Sequence, residues 1–443
     1  MPDTTDLSQG FLPLAPLLHP DPTAIGVFDL VSTDQIWRPA GAGIPEARDQ
    51  LVLARLHQEP LGIVHLPVPP AHESLEELVR SVWRQAGPQI VRHAERCGCM
   101  PIPADADALL NGAQVPEALC SCSVPVRPPG QAAVIVATVG RLDVLERCVE
   151  ALCALRCDDF EVVVVDNRPW VGGTRELVER YSSRAPIRYV AESRPGLSAA
   201  RNAGLVATAG ATYVAFTDDD VVMDERWLSW LLAPFTEPAI QGVTGLVMPL
   251  ALRSEVEKRF EQYAGFGKGV VPELYDLDEN RSDDRLLYPY WGGMFGSGNS
   301  MAFRRDALIR IGMFDLALGA GTRTGGGEDI AAFTEILLAG GRLAYEPRSV
   351  CWHEHRGDEA ALRAQVRNYG IGLTAVFWRF LWRDWGFLLA AVRSLPPMVR
   401  LMRSRRSGRQ DGRLLTDLSQ IEMRGRLLGP WAYFRSKRLA ARD

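Results

Sequence analysis

Short apolar runs alternate with helical patterns in the middle of the chain. The strand-like runs, rich in β-branched side chains, are Ala132–Ala137, Phe160–Val165, Ile187–Val190 and Thr212–Phe216. Apolar residues at three- and four-residue spacing between them predict helices over Leu142–Leu152, Thr174–Tyr181 and Ser198–Ala207. Strands that are apolar on both faces and alternate with helices predict a mostly parallel sheet with helices on both faces. The sequence therefore predicts an α/β domain over residues 131–370.

Residues 1–128 follow a different pattern. Their predicted elements are strands at Ile25–Val31, Leu51–Leu56 and Ile63–Leu66, a turn at Pro60–Gly62, and a helix over Leu75–Ala94. The proline-rich stretch Val124–Gly130 follows and has the composition of a stiff linker. We therefore predict a small α+β accessory domain over residues 1–128.

The last region, residues 371–443, is predicted to be a helical extension rich in tryptophan and arginine. From Arg393 to Asp443 it holds 13 Lys and Arg residues against four acidic ones, and Arg400–Arg409 is its most basic segment. Three interpretations stay open at this point. The extension packs on the preceding domain, binds an anionic membrane surface, or supports an oligomer.

Composition limits the expected cellular location and the expected binding partners of the protein. The 443 residues carry a net charge of −5, which gives no reason to expect a nucleic-acid partner. Eight cysteines are few for this length, and the N-terminus lacks the pattern of a signal peptide. Uninterrupted apolar runs fall short of the roughly 18 residues that a spanning helix needs. We expect a cytoplasmic protein that can lie on the inner face of the membrane without crossing it.

Polar residues follow three of the predicted strands, at Thr138–Arg141, Asp166-Asn167 and Thr217–Asp220. Because ligands of parallel sheets bind beyond the carboxyl ends of the strands, these residues are expected on one rim. Asp218-Asp219-Asp220 would repel one another unless a cation neutralises them. Oxygen ligands of this kind favour Mg²⁺ or Mn²⁺. The alternative is a solvated acidic turn.

Two further groups carry candidate chemistry. Glu328-Asp329 follows the glycines 325–327 and opens a predicted helix, which suits either a general base brought in by a mobile loop or a helix cap. His353 lies two residues before His355, after a strand-like segment, and is a candidate for a metal or diphosphate contact.

Four cysteines raise a separate question. Cys97, Cys99, Cys120 and Cys122 form two C-x-C pairs that could hold zinc, although C-x₂-C is the more usual spacing. The alternative is a set of small buried thiols.

Seven short stretches of the chain follow one another in a characteristic order: VIVATVGR (134–141), VVVDN (163–167), PGLSAARNAGL (195–205), VAFTDDD (214–220), GSGNSMAFRR (296–305), IGMFD (311–315) and GED (327–329). In these stretches the chain resembles family 2 glycosyltransferases of the GT-A fold. Each is short, but their order over roughly 230 residues makes chance an unattractive explanation. The resemblance covers about half of the chain and leaves residues 1–128 and the C-terminal extension without an assignment.

The resemblance implies a role for each matched residue. It implies contacts to the nucleotide, the diphosphate or the donor sugar for Thr138, Arg141, Asp166, Arg201, Asn202, Asp218, Asp219, Gly298 and Asn299. It also implies that Asp220, Asp218 and His353 hold the metal and that Asp329 is the general base, with Glu328 as the alternative.

The implied reaction is the inverting, metal-dependent transfer of a single sugar from a nucleoside-diphosphate sugar to an acceptor hydroxyl. The Q-x-x-R-W signature of processive synthases is absent, and Gln365–Tyr369 resembles it only weakly. Transfer of a single sugar is therefore favoured. A lipid-linked acceptor in cell-envelope glycan or glycolipid synthesis would suit membrane contact. The alternatives are a sugar-nucleotide nucleotidyltransferase and a catalytically inactive nucleotide-sugar-binding module.

Overall fold

A computed structural model describes most of the chain. The described residues are 21–30, 40–41, 43–44, 47, 49–67, 75–98, 100–112, 124–281, 287–290, 292–381, 383 and 413–441. Among these residues, no helix has both the length and the apolar character needed to cross a lipid bilayer.

The N-terminal region forms a three-stranded sheet with two helices. Its elements are β1 (Thr23–Asp29), β2 (Asp49–Leu56), β3 (Glu59–Pro67), α1 (Leu75–Cys97) and α2 (Ala106–Gly112). β1 and β2 are parallel, and β2 and β3 form an antiparallel hairpin. The turn of this hairpin is His57-Gln58, so the turn predicted at Pro60–Gly62 is wrong. Pro60–Gly62 lies inside β3, because Leu56 already pairs with Glu59 across a two-residue loop.

The small sheet packs on both of its faces. One face, including Val52 and Val64, packs against α1. The other face, including Leu53 and Ile63, belongs to the same hydrophobic cluster as the large sheet that follows. The accessory-domain boundary near residue 128 stays a prediction, but the small sheet shares its core with the rest of the protein.

The large sheet has the predicted α/β character. Its strands are β4 (Ala132–Thr138), β5 (Phe160–Asp166), β6 (Ile187–Ala191), β7 (Tyr213–Asp218), β8 (Val221–Met223), β9 (Ile240–Pro249), β10 (Glu273–Tyr275), β11 (Met301–Arg304) and β12 (Arg342–His353). The order is β10-β12-β9-β11-β7-β4-β5-β6, and β8 pairs with β12. β4 to β7 are parallel, as predicted, whereas β11 lies antiparallel between β7 and β9. Hydrophobic clusters fill both faces of the sheet.

Helices cover the two faces and the carboxyl rim of this sheet. They are α3 (Leu142–Cys153), α4 (Thr174–Tyr181), α5 (Leu197–Ala207), α6 (Trp227–Leu232), α7 (Glu255–Ala264), α8 (Arg305–Arg310) and α9 (Glu328–Leu338). Thr138 is in register with Asp166, and Ala137 with Asp218, so the three polar strand ends lie side by side. The prediction that they share one rim is confirmed.

The C-terminal helices pack on the sheet-bearing core. They are α10 (Glu359–Leu381), α11 (Arg413–Arg426) and α12 (Gly429–Ala440). Tyr433 donates to Asp315 Oδ2 (2.9 Å), and Arg379 bridges Asp315 and Glu335. Core packing, one of the three interpretations of this region, therefore holds for these helices. Residues 384–412, with the basic segment 400–409, lie outside the described residues.

Glycines set the distance between α10 and α11. A side chain at Gly370 would collide with the carbonyl oxygen of Glu422, and one at Gly425 with that of Arg367. The two backbones are therefore in direct contact, which only glycine permits at such a crossing.

Candidate active site

A cavity of about 1190 Å³ opens at the carboxyl rim of the large sheet. It is larger than the roughly 300–1,000 Å³ typical of a single small-molecule site. The ends of β4, β7 and β12 line one side, and the start of α9 another. Segments 246–249, 261–269 and 296–299, helix α10 and Glu422 of α11 also line the cavity. The cavity thus has room for more than one small molecule.

The acidic triplet lies at the base of this cavity, and each carboxylate has its own partners. Asp219 is buried and accepts hydrogen bonds from Thr138 Oγ1 (2.6 Å) and from Arg141. Arg141 also donates to Asp220 Oδ2 at 2.9 Å. Asp219 is buried, Asp218 and Asp220 are partly buried, and all three carboxylates pair with arginines, so the triplet is not a solvated acidic turn.

Arg201 joins the triplet to the start of α9. Its side chain is buried and donates to Glu328 Oε1 (2.8 Å), Asp218 Oδ1 (3.1 Å) and the carbonyl oxygen of Gly298 (3.1 Å). Asp218 Oδ2 accepts from Asn299 Nδ2 at 3.0 Å. Burial raises the pKa of both Asp218 and Glu328, and the charge of Arg201 opposes that rise. Arg201 therefore holds two carboxylates that would otherwise be costly to bury.

Asp329 differs from its neighbour Glu328. It is only partly buried and lines the cavity, and its Oδ2 accepts the backbone N–H of Gly298 (3.0 Å). Its Oδ1 accepts the N–H of Ile330 at 2.8 Å. These bonds fix the carboxylate at the start of α9 with one side open to the cavity. Both acidic residues line the cavity, but Glu328 is buried and Asp329 is the more exposed of the two.

Asp220 and His353 fit a divalent cation. Among the described residues, Asp220 Oδ1 is buried without a hydrogen-bond partner, and His353 Nε2 lies 3.4 Å from it. Burial lowers the pKa of His353 to about 4, against the attraction of Asp220, so the imidazole is neutral at pH 7. A carboxylate oxygen and a neutral imidazole nitrogen are both suitable metal ligands. Asp218 fits less well, because both of its oxygens already accept hydrogen bonds.

A chain of side chains behind His353 fixes its orientation. His355 Nε2 lies 2.7 Å from Glu261 Oε2, and His355 Nδ1 lies 3.2 Å from His353 Nδ1. With the carboxylate of Glu261 as acceptor of the Nε2 proton of His355, His355 Nδ1 accepts the Nδ1 proton of His353. This assignment, made from the hydrogen-bond network, leaves the lone pair of His353 Nε2 directed at Asp220. Glu261 could not be inferred from a local motif, because it lies about 90 residues before His353 in the chain.

Two predicted nucleotide contacts lie away from the cavity surface. Asn202 is buried, and its amide makes two hydrogen bonds to the backbone of Phe314 (2.8 and 3.0 Å). It therefore positions the loop after α8 and does not reach the cavity. Asp166 is buried at the end of β5, whereas the adjacent Asn167 lines the cavity and accepts the N–H of Gly196. The other predicted residues all line the cavity: Thr138, Arg141, Arg201, Asp218, Asp219, Asp220, Gly298, Asn299, Glu328, Asp329 and His353.

Residues 133–312 match the family model for glycosyl transferase family 2. This part of the chain is a family 2 glycosyltransferase domain. The mixed sheet, with helices on both faces and acidic residues after β7, is the GT-A fold that the sequence resemblance implied.

The chain is also similar to individual members of this class. It is 26% identical over 231 residues to the pre-mycofactocin glycosyltransferase of Mycobacterium tuberculosis, covering 51% of this chain and 43% of that protein. It is 30% identical over 196 residues to the succinoglycan biosynthesis protein ExoM of Rhizobium meliloti, covering 43% of this chain and 55% of ExoM. The match thus spans less than half the length of the mycobacterial protein.

The chain also aligns with a solved structure, that of the mannosyltransferase PcManGT of Pyrobaculum calidifontis in complex with GDP-Man and Mn²⁺. The TM-score is 0.44 and the sequence identity is 20%. The alignment covers 70% of this chain and 87% of that one.

Proposed function

We propose that the protein transfers a single sugar from a nucleoside-diphosphate sugar to an acceptor hydroxyl, with inversion at the anomeric carbon and with a divalent metal ion. The observation that carries this proposal is that one cavity is lined both by the Asp220–His353 pair and by the open carboxylate of Asp329. A cation held by such a pair can neutralise charge on the leaving diphosphate. A separate carboxylate can take the proton of the attacking hydroxyl.

Each part of the cavity then has a task. Thr138, Arg141 and Asn167 line the side next to β4 and β5, where the nucleotide would lie. Asp220 and His353 would hold Mg²⁺ or Mn²⁺, which when bound neutralises charge on the diphosphate. Arg201 keeps Asp218 and Glu328 in place.

Asp329 acts on the acceptor. Its carboxylate takes the proton of the acceptor hydroxyl as that oxygen bonds to the anomeric carbon and the bond to the diphosphate oxygen breaks. Attack from the face opposite the leaving group inverts the configuration. The N–H of Gly298 and the N–H of Ile330 each hold one oxygen of Asp329, so the base needs little reorganisation.

A thermal-shift panel tests the proposal at the donor. UDP-, GDP- and dTDP-sugars are each offered with Mn²⁺, Mg²⁺ or EDTA, followed by an assay for release of the nucleoside diphosphate. A ligand at 100 times its Kd stabilises the folded state by roughly 2.7 kcal/mol, so one nucleotide class is expected to raise the Tm only with metal. Stabilisation by a sugar nucleotide without turnover in the presence of any acceptor would favour the inactive binding module. Release of inorganic pyrophosphate from a sugar phosphate and a nucleoside triphosphate would favour the nucleotidyltransferase.

We also propose that α12 touches an anionic membrane surface, which would suit a lipid-linked acceptor and a location at the inner face of the cell membrane. Trp431 (56% exposed) and Phe434 (49% exposed) point away from the buried face of α12. Arg435 lies over the ring of Trp431, and Arg438 over that of Phe434. Exposed aromatic rings beside arginines are typical of helices that lie in the membrane interface.

Flotation with liposomes tests this contact. The wild type is expected to float with phosphatidylglycerol vesicles at low salt, and the double variant Trp431→Ala/Phe434→Ala to float several-fold less, because it loses the apolar contact. Trp170→Ala is the matched control, since Trp170 is 66% exposed on the catalytic domain far from α12 in sequence. Equal flotation of the double variant and the wild type would exclude α12 as the contact.

A further inference from the structure

A cluster of metal-ligand side chains lies in the N-terminal region, apart from the cavity. It consists of His57 at the tip of the β2–β3 hairpin and of His93 and Cys97 in the last turns of α1. One ligand atom from each of the three lies within 4.8 Å of the others. None of them lines the large cavity, so the proposed transfer reaction does not use them.

We propose that His57, His93 and Cys97 bind a zinc ion that ties the β2–β3 hairpin to the end of α1. Two imidazoles and one thiolate are ligand types that zinc prefers in proteins. This arrangement differs from the one that the sequence suggested, in which four cysteines formed the site. Only Cys97 of those four belongs to the described residues, and its described neighbours are histidines.

The distances and the helix geometry suit one ion. His57 Nδ1 and His93 Nε2 are 3.0 Å apart. With Zn–N bonds of about 2.0–2.1 Å, two nitrogens of a tetrahedral site lie roughly 3.3 Å apart, so little movement is needed. His93 and Cys97 are four residues apart on α1 and therefore lie on the same face of the helix. The three described ligands leave the fourth position to water or to a further side chain.

Glu59 supports the orientation of His93. Its Oε2 lies 3.1 Å from His93 Nδ1, on the side of the ring opposite His57. A carboxylate that accepts the Nδ1 proton fixes the tautomer and leaves the Nε2 lone pair toward the other two ligands. Histidines that bind metals almost always have such a partner on the second nitrogen.

The backbone conformation at the hairpin tip also supports a role for His57. His57 and Gln58 have φ of 52° and 68°, a left-handed conformation that glycine and asparagine usually supply in two-residue turns. The turn therefore places a bulky imidazole at a position that disfavours it. Strain of this kind is retained where the side chain has a task, and here that side chain is fully buried beside His93.

Metal content of the untagged full-length protein tests the proposal. After gel filtration in EDTA, elemental analysis is expected to find one zinc per chain. His93→Gln and Cys97→Ser are expected to lower it about tenfold or more, since each removes a ligand. Asp220→Asn is expected to keep the zinc, which separates this site from the cavity. His65→Gln and Cys157→Ser are matched controls and keep it as well: His65 pairs with Asp49 in the same small sheet, and Cys157 is a half-buried thiol elsewhere.

A measurement on the wild type guards against variants that fail to fold. Protein exchanged with Co²⁺ is expected to show the charge-transfer absorption of a cobalt–thiolate bond. A wild-type protein free of zinc, or a cobalt form without that absorption, would overturn the proposal. It would leave His57 and His93 as a hydrogen-bonded pair.

Discussion

Asp329→Asn is expected to lower kcat by about 10²- to 10⁴-fold, the range that general-base catalysis supplies. The amide cannot take a proton from the acceptor hydroxyl, yet it has almost the same shape as the carboxylate. It also keeps one carbonyl oxygen for either the N–H of Gly298 or that of Ile330. Donor binding should therefore change little. The measurement is kcat with the preferred donor, together with the Kd of that donor from a titration.

Two variants make this result specific. Asp306→Asn also changes a carboxylate in the first turn of a helix, but Asp306 is exposed on α8 and pairs with Arg310, so turnover should be unaffected. Glu328→Gln disturbs the buried pair with Arg201 and is expected to lower stability as well as activity. If Asp329→Asn kept its turnover while Glu328→Gln lost it with donor binding intact, Glu328 would be the base.

Asp220→Asn is expected to weaken the affinity for Mn²⁺ or Mg²⁺ by at least about 10- to 100-fold, the loss that follows even from removing an outer-shell partner. In the variant, the buried position of Asp220 Oδ1 beside His353 Nε2 would hold either an amide nitrogen or a neutral carbonyl oxygen. Either group binds a divalent cation more weakly than a carboxylate oxygen does. Turnover should fall with the metal affinity and recover partly at high metal concentration. Activity measured over a metal titration, with EDTA as the zero point, gives both values.

Asp219→Asn is the control within the same triplet. Thr138 and Arg141 use both oxygens of Asp219, so this change is expected to alter stability and leave the metal requirement near that of the wild type. The assignment of the metal to Asp220 fails if Asp220→Asn and the wild type require the same metal concentration.

The rim of the sheet was predictable from the sequence because polar residues directly after an apolar run mark the end of a strand. Thr138 and Asp218 each close an apolar run, and parallel strands bring their carboxyl ends together. The pair Glu328-Asp329 was identified by its place after a glycine loop at a helix start, and the family resemblance implied Asp329 as the base. The roles of these residues remain predictions, but their presence in one cavity could be inferred without coordinates.

Other features depend on contacts between distant segments. Glu261 and His355 support His353 only because α7 packs beside the end of β12, and no local pattern encodes that packing. Asn202 sits in the same motif as Arg201, yet its side chain faces Phe314, about 110 residues later in the chain. The antiparallel direction of β11 could not be predicted either, because an apolar strand has the same composition whichever way it runs.

The glycine crossing of α10 and α11 has a consequence for engineering. Helices in backbone contact cannot take larger residues at Gly370 or Gly425 without separating, and α10 together with Glu422 forms one wall of the cavity. Libraries that aim to alter the range of acceptors should therefore leave this wall unchanged. Residues 265–269 also line the cavity, but a side chain at Gly265 would collide with the carbonyl oxygen of Glu261, and Gly269 has a φ of 98°. Because Phe266 packs against the core, Lys268 is the better position to vary in this segment.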